Sequence, residues 1–222
     1  HSLCDFVHSV ERYGMHAYPV HIKLDTGMHR LGFVEEELDR LIEMLKREKG
    51  VVILAHYYCR PEVQAVAEEA RAEVGGKTVG GAVRAPLNPD PAYGGFWFYS
   101  QHLVEMVGEI FGRYPGSVRT FIKGKQTEVL FHYEDYDVLG QFSEKSWQYF
   151  VSRFAETKTT ACDVTSRGTV WFPIELDLFA SLLAGGEQQV SYEDFIAPIF
   201  VIDAIIRSIE SGEEEAVRSY VI

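Results

Sequence analysis

Residues 117–135 read SVRTFIKGKQTEVLFHYED. Val118, Thr120 and Ile122 fall at every second position, and Val129, Phe131 and Tyr133 repeat the pattern. A period of two puts one set of side chains on one face of a strand. Lys123-Gly124-Lys125 and Glu134-Asp135 are turn signals between such runs. The alternation carries on to Val170, and the whole stretch predicts an antiparallel meander.

Upstream, residues 101–112 read as a short apolar helix. Before it Gly75-Gly76, Gly80-Gly81, Pro86, Pro89, Pro91 and Gly94-Gly95 crowd together. They predict loop, and a boundary that divides the chain into domains 1–75 and 76–222. Downstream, Leu178, Leu182 and Leu183 mark a helix over 174–184, closed by Gly185-Gly186. Ser191 is the expected N-cap of the last helix, with Asp194 three residues on as a short capping box. Phe195, Ile199, Ile202, Ile206 and Ile209 are its expected buried stripe, and Gly212 its stop. In the first domain, Tyr18–Leu24 and 51–55 read as strands. Glu35–Glu48 and a stretch from Pro61 to about Gly75 read as helices. The expected fold class is α+β: a βαβα N-terminal segment, then an open, mostly antiparallel sheet with helices packed on one face.

The chain has 222 residues, 46% hydrophobic and 24% charged, which is enough for a packed core. A net charge of -12 argues against a nucleic-acid partner, which needs a basic surface. No apolar run is long enough to span a bilayer, so no membrane partner is expected. Three widely spaced cysteines give neither a disulfide framework nor a metal site, and a cytoplasmic setting is expected. The chain starts with His1 and not Met, inside what reads as an ongoing element, and so reads as a fragment.

Residues 20–33, VHIKLDTGMHRLGF, carry the first of three likenesses. With their surroundings, about 5–50, they resemble the barrel domain of alanine racemases. The resemblance implies pyridoxal phosphate as cofactor. It makes Lys23 and Arg30 substrate-binding residues, the lysine orienting an arginine that grips the substrate carboxylate. A planar guanidinium suits that task because it donates two parallel hydrogen bonds. The plainer alternative pairs them with local carboxylates such as Asp25. The family's Schiff-base lysine and the tyrosine opposite it have no counterpart that can be read here. Residues 51–67, VVILAHYYCRPEVQAVA, resemble the start of quinolinate synthases, with His56 and Tyr58 at the substrate-contacting positions and Cys59 in place of glutamine. Cys162 alone follows Cys59, too few to hold an iron–sulfur cluster.

The longest likeness spans about 80–217. GGFWFYSQHLVEM at 94–106, the meander, and VSYEDFIAPIFVIDAIIRSIESGEE at 190–214 are similar to the C-terminal domain of the glucose–fructose oxidoreductase/inositol dehydrogenase family. The resemblance implies a sugar or polyol substrate, NAD(P), and a homo-oligomer formed through the sheet. His102 matches the catalytic histidine, which accepts the hydroxyl proton; imidazole suits this because its pKa lies near neutrality. Many members carry an aspartate four residues earlier, where this chain has Phe98. Tyr99 and Glu105 are the nearby candidates for substrate binding. The plainer alternative has His102 anchoring its helix.

No G-x-G-x-x-G and no Glu-Lys-Pro occurs, so no cofactor-binding residue can be named and no dinucleotide fold is expected. The expectation is a truncated NAD(P)-dependent sugar or polyol oxidoreductase that keeps the substrate-binding domain, lacks the Rossmann domain and is inactive alone. The alternatives are a pyridoxal phosphate-dependent racemase remnant and a non-catalytic oligomerisation protein.

Overall fold

The computed structural model describes residues 12–13, 61–93, 95–164, 181 and 191–218. The expected elements 18–24, 35–48 and 51–55 lie outside these residues. So do Lys23, Arg30, His56, Tyr58, Cys59, all but one residue of 174–184, and the meander beyond 164. The backbone forms two compact units, 1–56 and 57–222, whereas the change of composition falls at 75–76. Every element below lies in the second unit.

In chain order the elements are α1 (Pro61–Arg71), β1 (Thr78–Pro86), a 3-10 turn (Pro91–Tyr93), α2 (Gly95–Phe111), β2 (Ser117–Lys123), β3 (Gln126–His132), β4 (Asp137–Ser143), β5 (Phe150–Ala155), β6 (Thr159–Asp163), α3 (Tyr192–Ser211) and β7 (Glu215–Ala216). The strands form one open sheet in the order β6-β5-β1-β4-β3-β2-β7. Only β1 with β4 is parallel; the other pairings are antiparallel. The class is α+β, as the alternation predicted, and the meander is β2-β3-β4.

Register puts Val118, Phe131, Val138, Gly81 and Arg153 in one row across the sheet. These side chains face the helices, where α1 meets β5 and β6, α2 meets β1 and β4, and α3 meets β2 and β7. Val83, Val118, Val129, Phe131, Val138, Phe142 and Val151 are all buried in that layer. The alternate positions Phe121, Leu139, Phe150 and Phe154 stay 38–50% exposed on the opposite face. Helices therefore cover one face and leave the other open.

β1 is the main departure from the expectation, since 75–95 reads as loop and yet supplies a central strand. Its glycines make the local signal misleading. A Cβ on Gly81 would lie 2.2 Å from Cζ of Phe111 and 2.6 Å from the Ser152 carbonyl oxygen. On β4, a Cβ at Gly140 would meet the Phe131 ring at 2.6 Å. Here glycine marks close approach of aromatic rings to the sheet, which a propensity argument counts as a break. Gly80, at φ 152°, sits at a register irregularity in β1.

α2 begins at Gly95, earlier than the expected 101. Asn88 Oδ1 accepts the Asp90 N–H and Asp90 Oδ1 accepts the Ala92 N–H, which shapes the preceding loop. α3 has the expected ends. Ser191 Oγ accepts the Asp194 N–H at 3.1 Å, and Gly212, at φ 70°, returns its N–H to the Ser208 carbonyl. The expected stripe holds in part: Ile202 is buried and Ile206 and Ile209 pack against the core, whereas Ile199 is 49% exposed and Ala197, Pro198, Val201, Ala204, Ile205 and Ser208 are buried as well. Small residues let this helix lie close to β2, where Ser208 Oγ accepts the Thr120 N–H and donates to the Glu213 carbonyl.

Arg153 on β5 is only 1% exposed. Its Nε donates to Thr78 Oγ1 at 2.7 Å, Nη1 to the Val74 carbonyl at 2.8 Å, and Nη2 to the Gly76 carbonyl at 2.9 Å. It thus fastens the turn between α1 and β1. Close by, Glu69 of α1 accepts from the Thr160 hydroxyl and from Lys158 Nζ.

Two outcomes are expected. Arg153→Met leaves the turn carbonyls without their donor and should lower the unfolding free energy by about 3 kcal/mol in urea melts. The Thr160 hydroxyl, then the Lys158 ammonium, hold the Glu69 carboxyl below its ordinary 4.5. A depressed carboxyl adds stability above its unfolded pKa and loses it as pH falls through the folded value. Wild type and Glu69→Gln should therefore differ at neutral pH and converge in acid.

Candidate functional site

Apolar side chains hold α2 against the sheet, with Leu103, Val104, Met106 and Val107 all buried. Near its N-terminus the Phe96 ring meets Phe142 of β4 edge-on, centroids 5.4 Å apart. At its C-terminus Tyr136 Oη donates to the Phe111 carbonyl and Tyr133 Oη to the Gly112 carbonyl. The tyrosines satisfy acceptors that a helix end leaves open, and together with the Phe96–Phe142 contact they fix the helix at both ends.

Tyr99 and His102 are one helical turn apart and share a side of α2. Their ring centroids are 6.0 Å apart at 65°. Two further rings come from the segment that joins β4 to β5. Trp147 meets Tyr99 at 5.5 Å and 73°, and Tyr149 meets His102 at 6.2 Å and 78°. The segment is itself ordered by hydrogen bonds: Gln148 N–H donates to Ser146 Oγ, and the Tyr149 carbonyl accepts from Val164 N–H. Together these place an imidazole in an aromatic surround. Aromatic walls with few polar groups are characteristic of small-molecule sites.

Sequence reasoning named Tyr99 and His102, and the structure brings them together. It missed Trp147 and Tyr149. The available signal was a pair of aromatics two apart in the polar run SEKSWQY, where a short extended segment points both to one side. Glu105 lies one turn beyond His102, is 8% exposed, and accepts from Gln101 Nε2 at 3.0 Å. Lys23 and Arg30 lie outside the described residues.

A depression of about 390 Å³ opens on the uncovered face of the sheet between Arg84, Leu139, Gln141, Phe150 and Asp163. Elsewhere His132 has Asp137 at 2.8 Å from Nδ1 and Glu214 at 4.0 Å from Nε2. Among the described residues, no cluster of three or more His, Cys, Asp or Glu could hold a metal, and no helix is long and apolar enough to cross a membrane.

The described residues do not fit a dinucleotide. A pyrophosphate needs a Gly-rich turn with free amides at a helix N-terminus. The β1-to-α2 connection instead carries Pro89 and Pro91, which have no N–H, and the Asp90 carboxylate, whose Oδ1 takes the Ala92 amide.

Comparison with known proteins gives two separate likenesses. Residues 5–75 match the family model for the alanine racemase N-terminal domain. That match takes in 51–67, and nothing supports the quinolinate synthase likeness of that stretch. No curated protein matches the chain. Among solved structures, a myo-inositol dehydrogenase-like protein from Sinorhizobium meliloti 1021 is 16% identical with TM-score 0.66, over 82% of this chain and 70% of that one. GenD2 from gentamicin A biosynthesis, solved with NAD, is 17% identical with TM-score 0.64, over 81% and 68%. An NADPH-dependent oxidoreductase-like protein from Desulfitobacterium hafniense is 12% identical with TM-score 0.66, over 96% and 76%. At such identities the likeness is one of fold, an oxidoreductase-like fold.

Burial, and secondarily the neighbouring Tyr136, push the Tyr133 phenol far above its ordinary 10.0. The folded state then holds this proton while the unfolded state releases it, so stability falls as pH rises above about 10. Tyr133→Phe should flatten the alkaline limb of a stability-against-pH curve, read by chemical denaturation.

Proposed function

We propose that this chain provides the substrate-binding half of an NAD(P)-dependent sugar or polyol oxidoreductase. The carrying observation is His102 set among Tyr99, Tyr149 and Trp147 on a sheet with an oxidoreductase-like fold. In this reading His102 accepts the hydroxyl proton of a bound alcohol, a role that imidazole commonly fills as a general base. Tyr99 and Glu105 help to position the substrate. No described residue fits the nucleotide that would take the hydride, so that part must come from another chain or from outside the described residues. Where another chain supplies it, this chain by itself is inactive.

The open sheet face carries Phe121, Leu139, Phe150 and Phe154, each 38–50% exposed, and this supports a homo-oligomer formed through the sheet. The match of residues 5–75 to the racemase model supports a second reading, a remnant in which Lys23 and Arg30 keep affinity for pyridoxal phosphate and a carboxylate.

Titration with NADH, followed by nucleotide fluorescence, and assays of polyol oxidation should separate these readings. The proposal expects polyol binding by the chain alone, with oxidation only when a nucleotide-binding partner is added. His102→Asn should then lower turnover by about 10²–10⁴-fold with binding retained. Unchanged turnover in His102→Asn would remove His102 from the chemistry. A lysine trapped by borohydride after incubation with pyridoxal phosphate would favour the racemase remnant. A defined oligomer in light scattering, with neither ligand bound, would leave the non-catalytic interaction protein.

A further inference from the structure

Trp147 combines two properties that seldom coincide. It is 64% exposed, and it is also ordered, with Tyr99 packed edge-to-face against it and hydrogen bonds on both sides of it in the chain. Its neighbours Glu144, Lys145, Ser146 and Gln148 are polar, so no apolar run explains an indole at this place. Tyr99 touches both Trp147 and His102, so one shared ring links the indole to the imidazole.

An aromatic face carries the negative part of a quadrupole and attracts polarised C–H bonds laid flat against it. A cyclic sugar or cyclitol offers such a face, because alternate axial C–H bonds point to the same side of a rigid ring. An open-chain polyol has the same hydroxyls and no rigid face, and it must also lose rotational freedom to lie flat. We propose that Trp147 is a specificity-determining platform that stacks ring-shaped polyols beside His102 and disfavours open-chain ones. The proposal rests on the reading that this chain binds a sugar or polyol, and it names the residue that chooses among them.

Calorimetric titration of the full chain with myo-inositol and with sorbitol tests it, in wild type, Trp147→Ala and Trp147→Phe. Wild type should prefer myo-inositol. Trp147→Ala should bind myo-inositol roughly tenfold more weakly and lose the preference, while Trp147→Phe keeps most of both. The thermal midpoint of both variants should match wild type, since the side chain is exposed. Unchanged myo-inositol affinity in Trp147→Ala would overturn the platform and leave the polyol reading standing. So would an equal loss for both polyols with a lowered midpoint, which marks a structural role. Failure of wild type to bind either polyol would overturn the polyol reading itself, and the platform with it.

Discussion

The Arg153 guanidinium is the fixed point of the sheet unit. It cannot shed its charge, and it lies almost wholly out of water. Such a group is tolerated only where its donors are matched. Here they are matched by a hydroxyl and two backbone carbonyls of one turn. The turn is where the chain leaves α1 and enters the middle of the sheet, and Gly75 and Gly76 take positive φ there. Shifting β5 by one residue would swing Arg153 to the open face and strand those carbonyls, because successive strand positions face opposite ways. One side chain therefore ties register, turn shape and the docking of α1 together.

The candidate site inherits its geometry from that frame. α2 is held by its apolar face, by Phe96 on Phe142 at one end and by two tyrosine hydroxyls at the other. β4 and β5 lie on either side of β1, and their connection carries Trp147 and Tyr149 to the helix. The rings that meet His102 thus come from two places far apart in sequence, each anchored on a rigid element.

That arrangement explains what the sequence could reveal. Local chemistry was legible: the meander from its alternation, the Ser191 and Gly212 caps from their residue types, and Tyr99 with His102 from the family resemblance of 94–106. Properties that depend on distant partners were not. β1 was hidden because Gly80 and Gly81 read as breaks, although Phe111 requires the space at Gly81. The stripe of α3 was legible only in part: Ile202, Ile206 and Ile209 lie in or against the core, but Ile199 drew attention from Ala197, Ala204 and Ser208, whose small size brings the helix to the sheet. Trp147 gave no periodic signal, since it lies in a connection whose meaning comes only from Tyr99.

The place of β1 also bears on how the chain reaches this state. β2, β3 and β4 pair with sequence neighbours and can assemble by short loop closures. β1 cannot join them so cheaply, because Gly81 pairs with Val138 on one side and Arg153 on the other. Both pairings close long loops before any contact rewards them, which makes insertion of this strand the slow event. Until it happens, β4 presents an unsatisfied edge, the kind of surface that recruits foreign strands. The glycines that let rings approach the sheet also weaken the strand on which the closing step depends.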